Sequence, residues 1–273
     1  MVFIPKEVVN FIESQWGKIA DLSTTDWDYL TRLALCDKKN VCEKIRQFSY
    51  CIRLVGQSGA GKTTQLLPAV QEMLKEERID FIRLAVRDFV KYHPQLAEIE
   101  QRYGSVFLRE KTNAWALFLL TCVLVACIEE HLPVLLEVTV LSPIYEKFIQ
   151  ALFLQKGYFC DYHCLAIDRS ISDAWIAERR KQTGRVVEKQ SSDFFFQTID
   201  PAFQYLQTLP LKGRIFLWDG VHCVPQQFDF CDKNFLTALK KERVSSEMFL
   251  SATESLEAKK QFMKRFYHGF ANT

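Results

Sequence analysis

A glycine-rich loop at residues 56–63 limits the folds open to this chain more than any other feature of its sequence. The loop reads Gly56-Gln57-Ser58-Gly59-Ala60-Gly61-Lys62-Thr63. It satisfies the pattern G-x-x-x-x-G-K-[ST] at every fixed position. An apolar, β-like run precedes the loop at 50–55, and a helical pattern follows at 62–76. A strand, this loop and a helix in that order predict a phosphate-binding loop within an α/β fold.

The residue types in this loop suit a nucleoside triphosphate bound together with a magnesium ion. Glycines let the backbone curl so that successive N–H groups point at phosphate oxygens, and the following helix adds partial positive charge. Lys62 is predicted to reach the β- and γ-phosphates, and Thr63 to bind Mg²⁺ through its hydroxyl. We therefore predict ATP and Mg²⁺ as cofactors. The predicted nucleotide contacts are Gly56, Gln57, Ser58, Gly59, Ala60, Gly61, Lys62, Thr63 and Thr64.

GTPases, helicases, transporters and kinases all share this loop, so other features must separate these classes. A GTPase would normally carry the guanine-reading motif N-K-x-D. The sequence lacks this motif. The similar stretch Asp37-Lys38-Lys39-Asn40 lies upstream of the loop, and its residues are in the wrong order. A helicase or motor would usually need a longer core than 273 residues provide. A compact metabolite kinase with a small-molecule acceptor is therefore favoured.

Strand-like runs alternate with helical patterns from about residue 48 onward. Strands are predicted at 50–55, 81–86, 134–140, 158–167 and 215–218, and helices at 62–76, 111–128, 142–157 and 171–182. This alternation predicts an α/β fold with a doubly wound parallel sheet of the P-loop NTPase type. Three regions follow from it: an N-terminal helical extension (1–47), a P-loop kinase domain (48–225) and a C-terminal helical segment (226–273).

The balance of charge and the use of cysteine exclude some partners and compartments. The 35 basic and 33 acidic side chains give a net charge of +2, which is too even to predict nucleic acid as a partner. Nine scattered cysteines, an odd number, favour a reduced, cytoplasmic compartment, although delivery into a host cell as an effector stays open. The longest apolar run, 115–128, falls short of the ~20 residues that span a membrane, so it predicts a core helix.

Two acidic residues lie near the ends of predicted strands. Groups at the carboxyl ends of parallel strands face the ligand crevice of such a sheet. Glu137 follows three apolar residues and would be costly to bury unpaired, so it is predicted to meet Mg²⁺, a basic side chain or a substrate hydroxyl. A structural ion pair stays open as its alternative. Asp88 is predicted to be the general base that takes the acceptor's proton, with a helix cap before Phe89 as its alternative.

A dense basic stretch follows the fourth predicted strand. It reads Glu178-Arg179-Arg180-Lys181-Gln182-Thr183-Gly184-Arg185. Guanidinium groups can stabilise the charge that spreads over the γ-phosphoryl oxygens during transfer. A helix followed by a glycine-containing loop is also suited to a lid that closes over ATP. The alternative is a solvated, charged helix end.

In their order along the chain, these motifs resemble the zeta-toxin family of P-loop kinases over residues 48–220. The loop is similar to the family's G-Q-P-G-[SA]-G-K-T, with Ser58 where proline is usual. The other similar segments are Arg87-Asp88-Phe89 with His93-Pro94, Leu136-Glu137-Val138-Thr139, Lys156-Gly157-Tyr158, Glu178-Arg179, and Gly184-Arg185-Val186-Val187.

The resemblance implies a reaction. Members of the family are ATP-dependent kinases; the best-known ones phosphorylate a sugar hydroxyl of UDP-N-acetylglucosamine, and relatives used as bacterial effectors act on nicotinamide dinucleotides. It therefore implies a nucleotide-linked acceptor, and it suggests an inhibitory antitoxin protein as a partner. Arg179 and Arg185 match the two lid arginines, which would clamp the transferring phosphoryl group.

Two positions depart from the family's pattern. Counting back from His93-Pro94, the family's base aspartate falls on Arg87, one place before Asp88, and Val138 stands where glycine is usual. Asp88 is the chemically competent choice, because arginine stays protonated and cannot act as a base. Two alternatives to a kinase stay open: a degenerate kinase that binds ATP without turnover, and an adaptor whose helical termini bind a partner protein.

Overall fold

A computed structural model describes residues 3–42, 45–71, 80–138, 142–184, 189–218 and 226–244. The strands in these ranges are β1 (Tyr50–Val55), β2 (Ile82–Ala85), β3 (Val134–Glu137), β4 (Phe159–Leu165), β5 (Lys212–Trp218) and β6 (Gln226–Asp229). They form one sheet in the order β2-β3-β1-β4-β5-β6. All five strands predicted from the sequence are present, and the predicted α/β sheet is confirmed.

The pairing within the sheet is mixed rather than wholly parallel. Strands β2 and β3 run parallel, with Ile82 opposite Val134 and Ala85 opposite Glu137. Strand β6 pairs antiparallel with β5, so Gln226 lies opposite Leu217. This strand lies within 226–273, the region predicted to be a C-terminal helical segment. The pairing satisfies backbone N–H and C=O groups along the edge of β5 that would otherwise need water.

Helices occupy most of the remaining described chain. They are α1 (Lys6–Trp16), α2 (Thr24–Lys39), α3 (62–71), α4 (Leu96–Tyr103), α5 (Leu108–Glu129), α6 (Pro143–Gln155), α7 (Arg169–Thr183), α8 (Lys189–Leu206) and α9 (Asn234–Val244). A 3-10 helix spans Val86–Tyr92. Helix α8 is not among the predicted helices, and it contains Pro201, a residue that usually ends a helix, in its interior.

The chain divides into two compact units, the first built from 1–52, 78–138 and 143–160 and the second from 53–77, 139–142 and 161–273. In the first unit, α5 packs against α1, α2, α4 and the 3-10 helix. Trp27 of α2 lies with its ring centroid 4.4 Å from that of Trp115 and 4.6 Å from that of Phe118. Helix α5 is therefore enclosed on several sides and shows no narrow apolar stripe.

Helix α5 also contains a segment, Glu110–Glu129, with the length and apolar character of a membrane span and a mean hydropathy of 1.8. However, 78% of the most apolar window of this segment is buried inside the protein. Such burial is typical of the core helix of a soluble protein. The same apolar run was predicted to be a core helix from its length alone.

In the second unit, aromatic side chains from strands and helices form the core. The ring of Phe203 in α8 lies 4.9 Å from that of Phe235 in α9. His163 of β4 is buried and stacks on Phe216 at 4.6 Å. Burial lowers the pKa of His163 to about 4, so the ring is neutral at pH 7 and its Nδ1 accepts a hydrogen bond from Trp218 Nε1 at 3.2 Å. These buried aromatic contacts join β4, β5, α8 and α9 within the second unit.

Candidate functional site

The glycine-rich loop joins β1 to α3 in the second unit. At two positions its backbone lies so close to other residues of the protein that only glycine fits. Gly59 has a φ of +80°, and a Cβ added there would lie 2.6 Å from Ser172 O and 2.8 Å from Ile176 Cγ1. Gly56 has a φ of +153°, and its added Cβ would lie 2.9 Å from Leu165 O. The loop thus packs directly against α7 and the end of β4, where any side chain would displace it.

Lys62 folds back over this loop. Its Nζ donates to Gly56 O at 2.5 Å and to Gln57 O at 3.0 Å. The ammonium group is therefore held at the loop, beside the backbone that is predicted to cradle phosphates. A lysine in this position, next to the start of a helix, fits the oxygens of a phosphate group.

The side chain of Gln57 anchors the loop from below. It is 1% exposed, and its Nε2 donates to Ile167 O, just after β4, at 2.7 Å. Its Oε1 and the buried Ser172 Oγ have no hydrogen-bond partner among the described residues. Gln57 was predicted to contact nucleotide. Its side chain fixes the loop to the segment that follows β4, and the nucleotide contact of Gln57 stays a prediction.

Helix α3 begins with a wide, π-helical turn at Lys62–Leu66, in which Leu66 N donates to Gly61 O at 3.3 Å. Gly61 precedes it in the left-handed conformation. Thr63 lies half-buried in this turn and Thr64 is exposed. Their predicted contacts with Mg²⁺ and nucleotide stay predictions, although a threonine hydroxyl at this position is a suitable ligand for a hard cation.

Arg179 lies on α7, the helix against which the loop packs. Ser172, Ile176 and Arg179 are spaced i, i+4 and i+7, so they share one face of the helix. The first two approach Gly59, and Arg179 follows Ser172 by ~10 Å along the helix axis. Burial lowers the pKa of the Arg179 guanidinium, whereas the next residue, Arg180, is exposed. The structure thus distinguishes the half-buried Arg179 from its exposed neighbour Arg180.

The loop that follows α7 was predicted to carry a second arginine. Gly184 ends α7 in the left-handed conformation with a φ of +70°, as the glycine-containing loop required. Arg185 lies outside the described residues. Its predicted role in clamping the phosphoryl group therefore stays a prediction that rests on the resemblance.

The first unit holds the two predicted acids, and Arg83 brings them together. Glu137 ends β3 with 8% of its side chain exposed, and its Oε2 accepts from Arg83 Nη2 at 2.6 Å. Arg83 Nη1 lies 3.9 Å from Asp88 Oδ2. The structural ion pair left open for Glu137 is thus present, and a role for Glu137 in binding Mg²⁺ stays a prediction.

Asp88 lies in the first turn of the 3-10 helix, where a lysine from a distant helix binds it. Its Oδ2 accepts from Lys38 Nζ at 2.6 Å, and Arg87 Nε lies 3.6 Å from its Oδ1. Ala85 is the N-cap residue of this helix, whereas Asp88 lies inside it with its carboxylate bonded to Lys38. The alternative that Asp88 caps this helix therefore has no support. Lys38 could not be identified from the sequence, because a pair separated by 50 positions leaves no local pattern.

Replacing Gly59 by alanine is expected to destabilise the second unit and weaken nucleotide binding. Gly104→Ala is the matched control, because its φ of +79° imposes similar backbone strain while its added Cβ meets nothing within 4 Å. Overpacking against Ser172 and Ile176 should cost Gly59→Ala ~1–3 kcal/mol more than the control in free energy of unfolding, measured by urea denaturation. Equal costs for the two variants would show that the loop does not press on α7.

The mostly parallel sheet, the phosphate loop and the helix beside it define a P-loop kinase fold. Residues 34–217 match the family model described as zeta toxin, so the chain belongs to the zeta-toxin family. This confirms the resemblance predicted from the motifs. No curated protein matches the chain.

Solved structures have folds similar to that of this chain. A chain from the PezAT toxin–antitoxin system of Streptococcus pneumoniae aligns with a TM-score of 0.68 and 18% identity, covering 90% of this chain and 98% of that one. A chain of the AvrRxo1-ORF1:AvrRxo1-ORF2 complex with sulphate ions aligns with a TM-score of 0.50 and 9% identity over 92% of both chains. At these identities the likeness shows the fold alone.

Proposed function

We propose that this protein is an ATP-dependent kinase that phosphorylates a hydroxyl of a nucleotide-linked metabolite, such as UDP-N-acetylglucosamine or a dinucleotide. The observation that carries the proposal is the phosphate loop, in which Gly59 packs against α7 and Lys62 is held over the loop's own carbonyl groups. Membership of the zeta-toxin family supports the same chemistry.

In this proposal each functional side chain has one task. Lys62 binds the β- and γ-phosphates, and Arg179 and Arg185 stabilise the charge on the transferring group. The acceptor oxygen bonds to the γ-phosphorus as the bond to the bridging oxygen of ADP breaks. The acceptor's proton passes to Asp88. Mg²⁺, when bound, neutralises charge on the phosphates, with Thr63 and Glu137 as the proposed ligands.

The proposal extends to compartment and partner. The eight cysteines among the described residues are free thiols, which suits a reduced, cytoplasmic compartment. The similar chain of known structure belongs to a toxin–antitoxin system, so an inhibitory antitoxin protein is the proposed partner. We propose neither nucleic acid nor a membrane as a binding partner, because the net charge is only +2 and most of the apolar helix is buried.

Asp88→Asn is expected to lower turnover by ~10²–10⁴-fold while ATP binding persists, because the amide cannot take the acceptor's proton. Turnover is measured as phosphoryl transfer from ATP to UDP-N-acetylglucosamine or NAD. Glu130→Gln is the matched control, because Glu130 is also ion-paired to a lysine, with its Oε2 2.5 Å from Lys39 Nζ. Undiminished transfer by Asp88→Asn would remove Asp88 from the reaction.

A second candidate function is ATP binding without turnover. The observation that favours it is the pairing of both acids with basic side chains, Asp88 with Lys38 and Glu137 with Arg83, while Arg87 takes the place of the family's aspartate. A protein that binds ATP tightly yet transfers no phosphoryl group to any acceptor would support this candidate over the kinase.

A further inference from the structure

The last turn of α2 binds the 3-10 helix that carries Asp88. Lys38 Nζ lies 2.6 Å from Asp88 Oδ2, and the two side chains are only 17% and 23% exposed. The same ammonium lies 5.5 Å from the ring centroid of the fully buried Phe89. Two contacts therefore fix the lysine in one place, which is unusual for a long and flexible side chain.

The neighbouring residue of α2 holds the other end of the same short helix. Asp37 Oδ2 accepts from Tyr92 Oη at 2.6 Å and from Lys91 Nζ at 3.1 Å. The hydrogen bond from Tyr92, followed by that from Lys91, lowers the pKa of Asp37. Helix α2 therefore contacts both the first turn and the last turn of the 3-10 helix. These contacts set the position of the Asp88 backbone as well as that of the Asp88 side chain.

The two oxygens of Asp88 have different surroundings. Oδ2 accepts the short bond from Lys38 and has Arg83 Nη1 at 3.9 Å. Oδ1 has only Arg87 Nε at 3.6 Å among the described residues, which is beyond hydrogen-bond distance. A carboxylate held at one oxygen cannot rotate freely about its Cβ–Cγ bond, so Oδ1 keeps a fixed direction.

We propose that Lys38 is a positioning residue, which holds Asp88 by Oδ2 and so leaves Oδ1 aimed to take the acceptor's proton. The inference rests on the proposed kinase function. The pair is mostly buried, so replacing Lys38 also costs some stability. A misplacement of the order of 1 Å in a reacting group can cost ~10²-fold in rate, so the loss in rate should persist in folded protein that binds ATP normally.

The test compares Lys38→Met with the neighbouring Lys39→Met, using ATP with UDP-N-acetylglucosamine and with NAD as acceptor probes. Lys39 is ion-paired to Glu130 at 2.5 Å, so its variant removes a similar bond from the same turn without touching Asp88. Lys38→Met should lower kcat by ~10–10²-fold with the Kd for ATP unchanged. Lys39→Met should behave as the wild type, and Lys38→Arg should restore most of the lost rate.

A double variant separates positioning from a general structural effect. If Lys38 acts through Asp88, then Lys38→Met combined with Asp88→Asn is no slower than Asp88→Asn alone. The inference would be overturned if the loss in rate of the double variant equalled the product of the two single losses. A Lys38→Met variant as fast as the wild type would overturn it as well. Wild-type protein that binds ATP and phosphorylates neither probe would instead overturn the proposed function, and this inference with it. The result from Lys38→Arg decides the matter if Lys38→Met does not fold.

Discussion

Lys62→Ala is expected to abolish ATP turnover and to weaken ATP binding while the protein stays folded. The Lys62 ammonium lies at the loop, where it donates to the carbonyl oxygens of Gly56 and Gln57. Lys62 is also the basic residue within the predicted phosphate-binding loop itself. Removing one preorganised charge-stabilising donor typically costs ~10²–10³-fold in rate. The loss in rate should be at least this large, because the Lys62 ammonium is a charged donor and the alanine side chain has no donor at all.

Nucleotide affinity and thermal melting of Lys62→Ala should be measured on the same preparation. Lys18→Ala is the control, because the Lys18 side chain is 87% exposed and forms an ion pair with Glu13 of α1, outside the glycine-rich loop. The control should bind ATP as the wild type does. A folded Lys62→Ala protein with undiminished ATP binding and turnover would contradict the assignment of the loop.

Arg179→Ala is expected to lower turnover by ~10³-fold or more with little change in ATP affinity, because an arginine that contacts only the transferring group acts in the transition state. Its place on the face of α7 that touches Gly59 supports this role. Arg185→Ala carries the same expectation from the resemblance alone.

Arg180→Ala is the matched control for Arg179→Ala, since the two residues are adjacent and Arg180 is exposed to solvent. Steady-state kinetics should place the whole loss in kcat for Arg179→Ala and find none for Arg180→Ala. Equal rates for both variants would mean that the stretch is only a solvated helix end.

The sequence predicted the parts of the fold that depend on local patterns. The glycines of the loop are fixed by backbone geometry at single positions, as at Gly59, so their spacing identifies the loop without any structure. Short runs rich in valine and leucine predicted β3 and its neighbours, because parallel strands buried on both faces read as continuous apolar runs. Helix α2 lies within the helical extension predicted for 1–47, and it begins at a local cap in which the Ser23 hydroxyl accepts from Asp26 N at 3.2 Å.

Other parts of the molecule depend on contacts between distant residues and could not be predicted. Helix α8 persists through Pro201 because its apolar side chains pack into the core, which outweighs the local preference. Strand β6 forms because its backbone pairs with the unpaired N–H and C=O groups along the edge of β5. The pairing of Lys38 with Asp88 joins residues 50 positions apart, so no local pattern around Lys38 indicates it.

Metabolite profiling of cells that make the protein tests the central claim most directly. Cells making the wild type should accumulate a nucleotide-linked metabolite with the mass gain of one phosphoryl group. Cells making Lys62→Ala at equal level should not. If no metabolite gains a phosphoryl group although the purified protein binds ATP, or if both proteins yield the same product, the kinase assignment is contradicted.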